Sequence, residues 1–181
     1  MKQTIRIIGG LYRGKKLHFP EIEGLRPTPD RVRETLFNWL MNHIRGARCL
    51  DAFAGSGALG IEAFSRGAAT VTLVEQSPEA HAHLKKIIAG FAAPSLKLIR
   101  ADARKYLQGC HEQFDIIFLD PPFAEQLIDE CLNYIVKNSL IAAGGMVYLE
   151  SSKSIVLNEI DWQQIKLKQA GQVFYGLFKK L

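Results

Sequence analysis

The segment Asp120-Pro121-Pro122-Phe123 has the residue types that could activate an aromatic amine for attack on an electrophile. Such an amine is a poor nucleophile because its lone pair is delocalised into the ring. A carboxylate and a backbone carbonyl that each accept one N–H would turn this lone pair toward the electrophile. Pro121 favours the role because its ring fixes φ and holds the carbonyl rigidly. Phe123 could stack on a base that has left its pairing partner.

We therefore predict that Asp120, Pro121, Pro122 and Phe123 form the catalytic set. They follow the mainly apolar segment 114–119, which predicts a buried strand, and ligands of open α/β sheets bind beyond the carboxyl ends of the strands. The alternative is that Asp-Pro-Pro only ends the strand and that Phe123 fills the core.

A glycine-rich turn earlier in the chain predicts a cofactor of the nucleotide type. Gly55, Gly57 and Gly60 satisfy G-x-G-x-x-G after a short apolar run, where the backbone can approach a ligand and the next helix begins. Glu75 ends the following predicted strand and could bridge the two hydroxyls of a ribose. For Glu75 the alternative is an exposed carboxylate at a strand end. The cofactor contacts predicted from this region are Asp51, Phe53, Gly55, Ser56, Gly57 and Glu75.

Asp102 follows a third predicted strand, over 96–99. Its carboxylate could accept a hydrogen bond from the amino group of an adenine, and the backbone N–H of Ala103 lies beside it. We assign both residues to the cofactor by position. The alternative is that Asp102 caps a helix over 103–107.

An alternation of strands and helices must position these motifs. From residue 47 the pattern predicts five strand–helix units and then a hairpin around Ala170-Gly171. Strands with helices on both sides form a parallel sheet that is buried on both faces. The predicted fold is therefore α/β and Rossmann-like, with a seven-stranded, mostly parallel sheet and an antiparallel C-terminal hairpin.

Residues 1–46 lie outside this alternation and are predicted as a separate N-terminal part, with 47–181 as the catalytic domain. Strands over 4–8 and 15–19 would form a small hairpin. The prolines of Arg26-Pro27-Thr28-Pro29 predict an extended loop. A helix capped by Asp30 would then run from Arg31 to about Ile44.

The excess positive charge lies in this N-terminal part, because residues 1–48 hold ten of the 23 Lys and Arg residues but four of the 18 acids. Such a footprint suits a phosphate backbone, and interleaved aromatic residues suit RNA bases. A solvated charged end, or a hairpin that packs its own aromatics, is the alternative. The predicted RNA contacts are Arg6, Tyr12, Arg13, Lys15 and Lys16.

Composition argues against several other classes of protein. No apolar run approaches the ~20 residues of a membrane span, and the first residues lack a signal-peptide pattern. Three widely spaced cysteines, Cys49, Cys110 and Cys131, show neither disulfide nor zinc-ligand spacing and suit a reducing compartment. None follows the fourth strand, where a nucleophile for C5 chemistry would be expected. We expect a cytoplasmic monomer with no metal and no membrane partner.

Taken together, the motifs resemble one family over essentially the whole chain. Asp-Pro-Pro-Phe after the fourth strand is similar to the signature of amino-methyltransferases that act on DNA, RNA or protein amides. The remaining motifs resemble the RsmD family of bacterial 16S ribosomal RNA guanine-N2 methyltransferases. They are Ile7–Gly10, Arg13–Leu17, Gly24–Thr28, Asp30–Trp39, Phe53–Gly60 and Ala170–Val173.

The resemblance implies a class I enzyme that uses S-adenosylmethionine to methylate a guanine N2 in the 16S rRNA of the small ribosomal subunit. By position, Gly55–Gly57 would hold the methionyl part, Glu75 the ribose and Asp102 the adenine. The segment Asp120–Phe123 would hold the target base, and Asp120 would also contact the cofactor. Arg26, Pro27 and Thr28 would cover the cofactor.

Three other functions stay open at this point. A DNA adenine-N6 methyltransferase shares Asp-Pro-Pro-aromatic but usually carries a recognition region for which this chain has no room. A nicotinamide-dependent oxidoreductase would explain the glycines and Glu75 and leave Asp120–Phe123 unexplained. A non-catalytic RNA-binding factor would need no cofactor loop.

Overall fold

The computed structural model describes residues 2–22, 27–122 and 125–181. Strands and helices alternate as the pattern predicts. The N-terminal part contains β1 (Lys2–Arg6), β2 (Lys16–Pro20) and α1 (Asp30–Trp39). The rest contains β3 (Arg48–Asp51), α2 (Ala58–Ser65), β4 (Thr70–Val74), α3 (Pro78–Ala89), β5 (Leu96–Ile99), α4 (Ala103–Gly109), β6 (Phe114–Leu119), α5 (Glu125–Lys137), β7 (Ile141–Ser151), β8 (Trp162–Ala170) and β9 (Val173–Lys180).

The main sheet has seven strands in the order β5-β4-β3-β6-β7-β9-β8. Strands β3 to β7 pair in parallel, whereas β9 is antiparallel to both β7 and β8. The order reverses beside β3, and in open sheets such a point opens a crevice at the carboxyl ends of the strands. The predicted Rossmann-like fold with its antiparallel C-terminal hairpin is confirmed.

Each face of the sheet is covered by its own apolar core. One core joins β1, β2, α1, α2 and α3 to the sheet, and the other joins α4 and α5 to the opposite face. The hairpin residues Ile5, Leu17 and Phe19 are buried in the first core together with Leu36 of α1. The N-terminal part is therefore built into the core of the catalytic domain, and its treatment as a separate unit stays a prediction.

A buried carboxylate fastens the N-terminal hairpin to α2. Glu62 is fully buried and accepts hydrogen bonds from the backbone N–H groups of Ile8 and Gly9, both at 2.8 Å. Arg66 donates to the same carboxylate at 2.7 Å, and Arg33 of α1 lies 3.6 Å from it. Gly10, with φ of +77°, brings the hairpin so close to α2 that a Cβ there would overlap the carbonyl of Ser65.

The predicted helix of the N-terminal part differs in two details. It ends at Trp39 rather than Ile44, since beyond Leu40 the chain tightens into turns that still bury Ile44. Asp30 does not cap it: Pro29 occupies the N-cap position, and the Asp30 carboxylate pairs with Arg33 instead. Within the described ranges, no helix is long and apolar enough to cross a membrane.

Candidate active site

A cavity of about 550 Å³ opens at the carboxyl ends of β3, β4, β6 and β7. Its volume falls in the range of small-molecule sites. The glycine turn after β3 and the loop before α1 form parts of its wall. Many predicted site residues line it: Pro27, Thr28, Asp51, Phe53, Gly55, Ser56, Glu75, Ala103, Asp120, Pro121 and Pro122. Arg26 and Phe123 lie outside the described residues.

The glycine turn needs its glycines for two different reasons. Gly55 and Gly57 have φ of +51° and +78°, in the left-handed region that other residues rarely adopt. A Cβ at Gly57 would also lie 2.6 Å from Leu84 Cδ2. Gly57 is absent from the cavity wall, so its cofactor contact stays a prediction and its visible role is to shape the turn that begins α2.

Asp51 carries an unsatisfied oxygen beside the cavity. Its Oδ2 accepts a hydrogen bond from Gly60 N at 2.9 Å, and the backbone N–H of Phe53 also interacts with the carboxylate. Oδ1 is buried and receives no hydrogen bond of ordinary geometry from the described residues. Burial raises the pKa of Asp51 to about 7, and the nearby Asp120 and Glu75 carboxylates add to this effect. Such a group is a strong acceptor for a ligand donor, above all a cationic one.

Glu75 joins the two loops that follow β3 and β4. Its Oε2 accepts from Gly55 N and its Oε1 from Ser77 N, both at 2.7 Å. The side chain is buried, so the alternative of an exposed carboxylate is wrong. Each oxygen keeps acceptor capacity toward the cavity, because a carboxylate oxygen has two lone pairs.

Asp102 caps α4, as predicted by the alternative interpretation of this residue as a helix cap. Its carboxylate accepts from the backbone N–H groups of Arg104 and Lys105 and pairs with the Arg104 side chain, which lowers the pKa of Asp102. The neighbouring Ala101 and Ala103 line the cavity, whereas Asp102 does not. A contact between its carboxylate and an adenine stays a prediction.

Asp120 stands at the cavity end of β6 and is held from the N-terminal part. Thr28 donates its hydroxyl hydrogen to Asp120 Oδ2 at 3.1 Å. Burial raises the pKa of Asp120 to about 6, while the hydrogen bond from Thr28 opposes this shift. Pro121 is buried and Pro122 is exposed, and both line the cavity. The site thus places a fixed, ionisable acceptor in the cavity that the glycine turn also lines.

Comparison with known proteins decides the family. The family model described as conserved hypothetical protein 95 matches residues 5–179. The ribosomal RNA small subunit methyltransferase D of Escherichia coli strain K12 is 44% identical over 97% of this chain and 90% of its own length. The chain belongs to the RsmD family. The Haemophilus influenzae relative of the same name is 40% identical over 98% of this chain and 95% of its own length.

The fold of the RsmD chain also matches solved structures. The structure of yhhF from Escherichia coli superimposes with a TM-score of 0.91 at 42% identity and covers 98% of each chain. The resemblance predicted from the motifs is therefore confirmed at the level of the family. The oxidoreductase and the non-catalytic RNA-binding factor are excluded as alternatives, because these relatives are named methyltransferases.

The cavity of this RsmD chain contains an acid that the sequence interpretation missed. Glu150, near the end of β7, lines the cavity and is buried, and Tyr148 donates a hydrogen bond to its Oε1 at 2.7 Å. Glu150 could have been selected from the sequence, because it is a carboxylate at the end of the fifth predicted strand, over 146–150, and Glu75 was selected for the same reason. Ser151, Ser152 and Val173 extend the same wall.

The predicted RNA-binding hairpin of the RsmD chain divides into two sets of residues. Arg6, Arg13 and Lys16 are exposed. Tyr12 is only partly exposed, because its ring packs 5.5 Å from that of Phe64 and 4.8 Å from that of Phe91, and a contact of Tyr12 with RNA stays a prediction. Lys15 is exposed but also places its Nζ 4.0 Å from the centroid of Phe91.

The cysteines of the RsmD chain are structural. Cys49, Cys110 and Cys131 are buried thiols, and burial raises the pKa of Cys131 to about 12. Over the described part of the chain, no cluster of three or more His, Cys, Asp or Glu residues is arranged to hold a metal ion.

Proposed function

We propose that this chain transfers a methyl group from S-adenosylmethionine to the exocyclic N2 of a guanine in the 16S ribosomal RNA of the small subunit. The observation that carries the proposal is the Asp120 carboxylate, which Thr28 fixes beside the cavity lined by the glycine turn. Family membership supports the methyl transfer, and the names of the relatives support small-subunit rRNA. The choice of guanine N2 rests on the motif resemblance.

The residues around the cavity fit S-adenosylmethionine. The unsatisfied Oδ1 of Asp51 suits the α-ammonium of the methionyl part, and the lone pairs left on Glu75 suit the ribose hydroxyls. Val74, Ala101 and Ile128 give the apolar walls that a flat adenine needs. When bound, the cofactor supplies a methyl group on a positively charged sulfur, which is already a good electrophile.

The chain itself acts chiefly by orienting the base. Asp120 and the Pro121 carbonyl accept the N2 hydrogens, which turns the nitrogen lone pair toward the methyl carbon. The amine held by Asp120 would take this methyl group, and the cofactor would leave as a neutral thioether. N2 then loses one proton to Asp120 or to water. Most of the rate enhancement should come from positioning, since effective molarities of well-oriented groups are large.

The direct test is to identify the methylated nucleoside. The protein would be given S-adenosylmethionine with small subunits from a strain that lacks this methylation, with naked 16S rRNA, or with duplex DNA. We expect N2-methylguanosine in the digested rRNA. N6-methyladenine in the DNA sample, with no methylguanosine in either RNA sample, would favour the adenine methyltransferase instead.

Cofactor affinity should depend on pH through Asp51. Its folded-state pKa of about 7 means that the carboxylate becomes neutral as the pH falls through 7 and then attracts an ammonium group less. We expect the Kd for S-adenosylmethionine to rise about tenfold for each pH unit below this pKa. Isothermal titration from pH 5.5 to 8.5 measures this dependence. The variant Asp51→Asn should bind S-adenosylmethionine weakly and with the same Kd across the pH range. The same slope in the variant would show that another group titrates.

The exposed cations of the hairpin should set the salt dependence of RNA binding. Arg13→Ala with Lys16→Ala removes two charges, so affinity should fall and the slope of log K against log salt should decrease by about 1.4 to 1.8. A matched variant, Lys137→Ala with Lys166→Ala, removes two exposed charges on α5 and β8. Filter binding over a salt series compares them. Equal slopes in both variants would mean that RNA does not contact the hairpin.

A further inference from the structure

Asp120 directly follows β6, Glu150 is the penultimate residue of the neighbouring parallel strand β7, and both line the cavity. Leu119 of β6 pairs with Leu149 of β7. The residues that follow this pair, Asp120 and Glu150, are therefore neighbours across the two strands of the sheet. Tyr148, Glu150 and Asp120 all point to the face of the sheet that carries α1, as their positions alternate with residues of the opposite core. Two carboxyl groups therefore share one partly closed space.

One hydroxyl group lies between the two carboxyl groups. Thr28 donates to Asp120 Oδ2 at 3.1 Å and also interacts with the carboxyl of Glu150. A hydroxyl has a single hydrogen, so Thr28 cannot donate to both groups at once. If Glu150 carries a proton, however, it can donate to the Thr28 oxygen while Thr28 donates to Asp120. The phenol of Tyr148 then occupies the other Glu150 oxygen.

The charges around Glu150 favour its protonated form. The groups that face it are Asp120 from β6, Tyr148 from its own strand, the paired Tyr175 from β9, and Thr28 from the loop before α1. Asp51 lies beyond Asp120. None of these described groups is a cation. Burial and the Asp120 charge raise the pKa of Glu150 to about 8 although the hydrogen bonds of Tyr148 and Thr28 oppose this shift, so Asp120 ionises first as the pH rises.

We propose that Glu150 is a positioning residue for methyl transfer, which keeps its proton and so leaves the Thr28 hydrogen for Asp120. This inference rests on the proposed function, because Asp120 must orient the base for the effect to matter. When Glu150 loses its proton, a second negative charge appears beside Asp120 and competes for the Thr28 hydrogen. The orientation of Asp120 then degrades, and turnover falls.

The consequence is a bell-shaped dependence of kcat on pH. The acid limb reflects protonation of Asp120 and the alkaline limb reflects ionisation of Glu150. Glu150→Gln fixes a neutral side chain of nearly the same shape, whose amide can still donate to Thr28. We therefore expect this variant to keep near-normal turnover at pH 7, to retain the acid limb and to lose the alkaline limb. At one pH unit above the midpoint the variant should be several-fold faster than the wild type.

The experiment compares single-turnover rates of the wild type, Glu150→Gln, Glu150→Leu and the exposed-site control Glu159→Gln from pH 5.5 to 9.5. Glu150→Leu, which cannot donate, should lose activity at every pH, while Glu159→Gln should follow the wild type. A variant Glu150→Gln that keeps the alkaline limb of the wild type would overturn the proposal. So would a folded Glu150→Gln protein, judged by its melting temperature, that is inactive throughout.

A second measurement does not depend on the identity of the methyl acceptor. Infrared titration of the protein alone should show a protonated carboxyl group at pH 7 that disappears above pH 8 and is missing in Glu150→Gln. Absence of any difference between the two spectra would overturn the assignment even if methyl transfer behaves as expected. Conversely, a spectral difference that is present while no N2-methylguanosine forms would count against guanine N2 as the methyl acceptor, whereas the assignment of a proton to Glu150 would stand.

Discussion

Replacement of Asp120 by Ala should lower kcat by about 10²-fold or more while the Kd for S-adenosylmethionine changes little. The Asp120 carboxylate faces the cavity from the end of β6, whereas the glycine turn, Asp51 and Glu75 hold the side proposed for the cofactor. Without the carboxylate, the amine is no longer turned toward its electrophile. Single-turnover methyl transfer and isothermal titration separate the two effects.

Asp120→Asn sharpens this test because its amide oxygen still accepts one N–H. We expect turnover between that of the Ala variant and the wild type, and a profile that no longer falls as the pH drops through about 6, where Asp120 takes up its proton. The exposed Asp129→Asn on α5 serves as the matched control. If Asp120→Ala instead weakens cofactor binding and leaves turnover of the bound complex intact, Asp120 belongs to the cofactor site.

The same change should reveal what this acid does to stability. The pKa of Asp120 is raised on folding, so the folded state binds the proton more tightly and loses stability as the pH rises from about 4 to 6. Asp120→Asn removes that loss. Urea unfolding at pH 7.5 should therefore show that Asp120→Asn, although less active, is at least as stable as the wild type. This is expected because a buried charge that function requires usually costs stability.

The fold and the cavity could be predicted from the sequence because their signals are local. The mainly apolar segments over 49–53, 70–74 and 114–119 contribute most of β3, β4 and β6, which are buried parallel strands. The glycines at 55 and 57 mark a turn that needs positive φ. Since the carboxyl ends of parallel strands meet at one edge, Asp51, Glu75 and Asp120 could be assigned to one site before any contact was known.

Contacts between distant segments could not be predicted in this way. Nothing in the local pattern around Thr28 shows that its hydroxyl reaches Asp120, 92 residues later. Tyr12 was assigned to RNA because it lies among cations, but tertiary packing places its ring against Phe64 and Phe91. Asp30 was assigned as a helix cap because of its residue type, yet the buried Arg33 of the first helical turn takes its carboxylate.

Glu62 is the clearest example of a role that only the folded chain reveals, and its removal should have the largest effect on stability. In the sequence it is one acid in an apolar helix. In the structure it is the acceptor for two backbone N–H groups of the hairpin and lies beside two arginines. Glu62→Ala would leave these donors unsatisfied and Arg33, which is 1% exposed, without its buried counter-charge. We expect a loss of about 3–5 kcal/mol in the free energy of unfolding.

Three comparisons distinguish the loss of the contacts between Glu62 and the hairpin from a general effect of removing a negative charge. The exposed Glu34→Ala on α1 should change the free energy of unfolding by less than about 0.5 kcal/mol. Glu62→Ala combined with Arg33→Met should be less destabilised than the sum of the single variants, because the second change removes a buried cation that has kept only the exposed Asp30 as its partner. Trypsin should cut after Arg13 and Lys16 faster in Glu62→Ala at a temperature where the rest of the domain stays folded. Equal cleavage rates in Glu62→Ala and the wild type would show that the apolar contacts of Ile5, Leu17 and Phe19 hold the hairpin without this carboxylate.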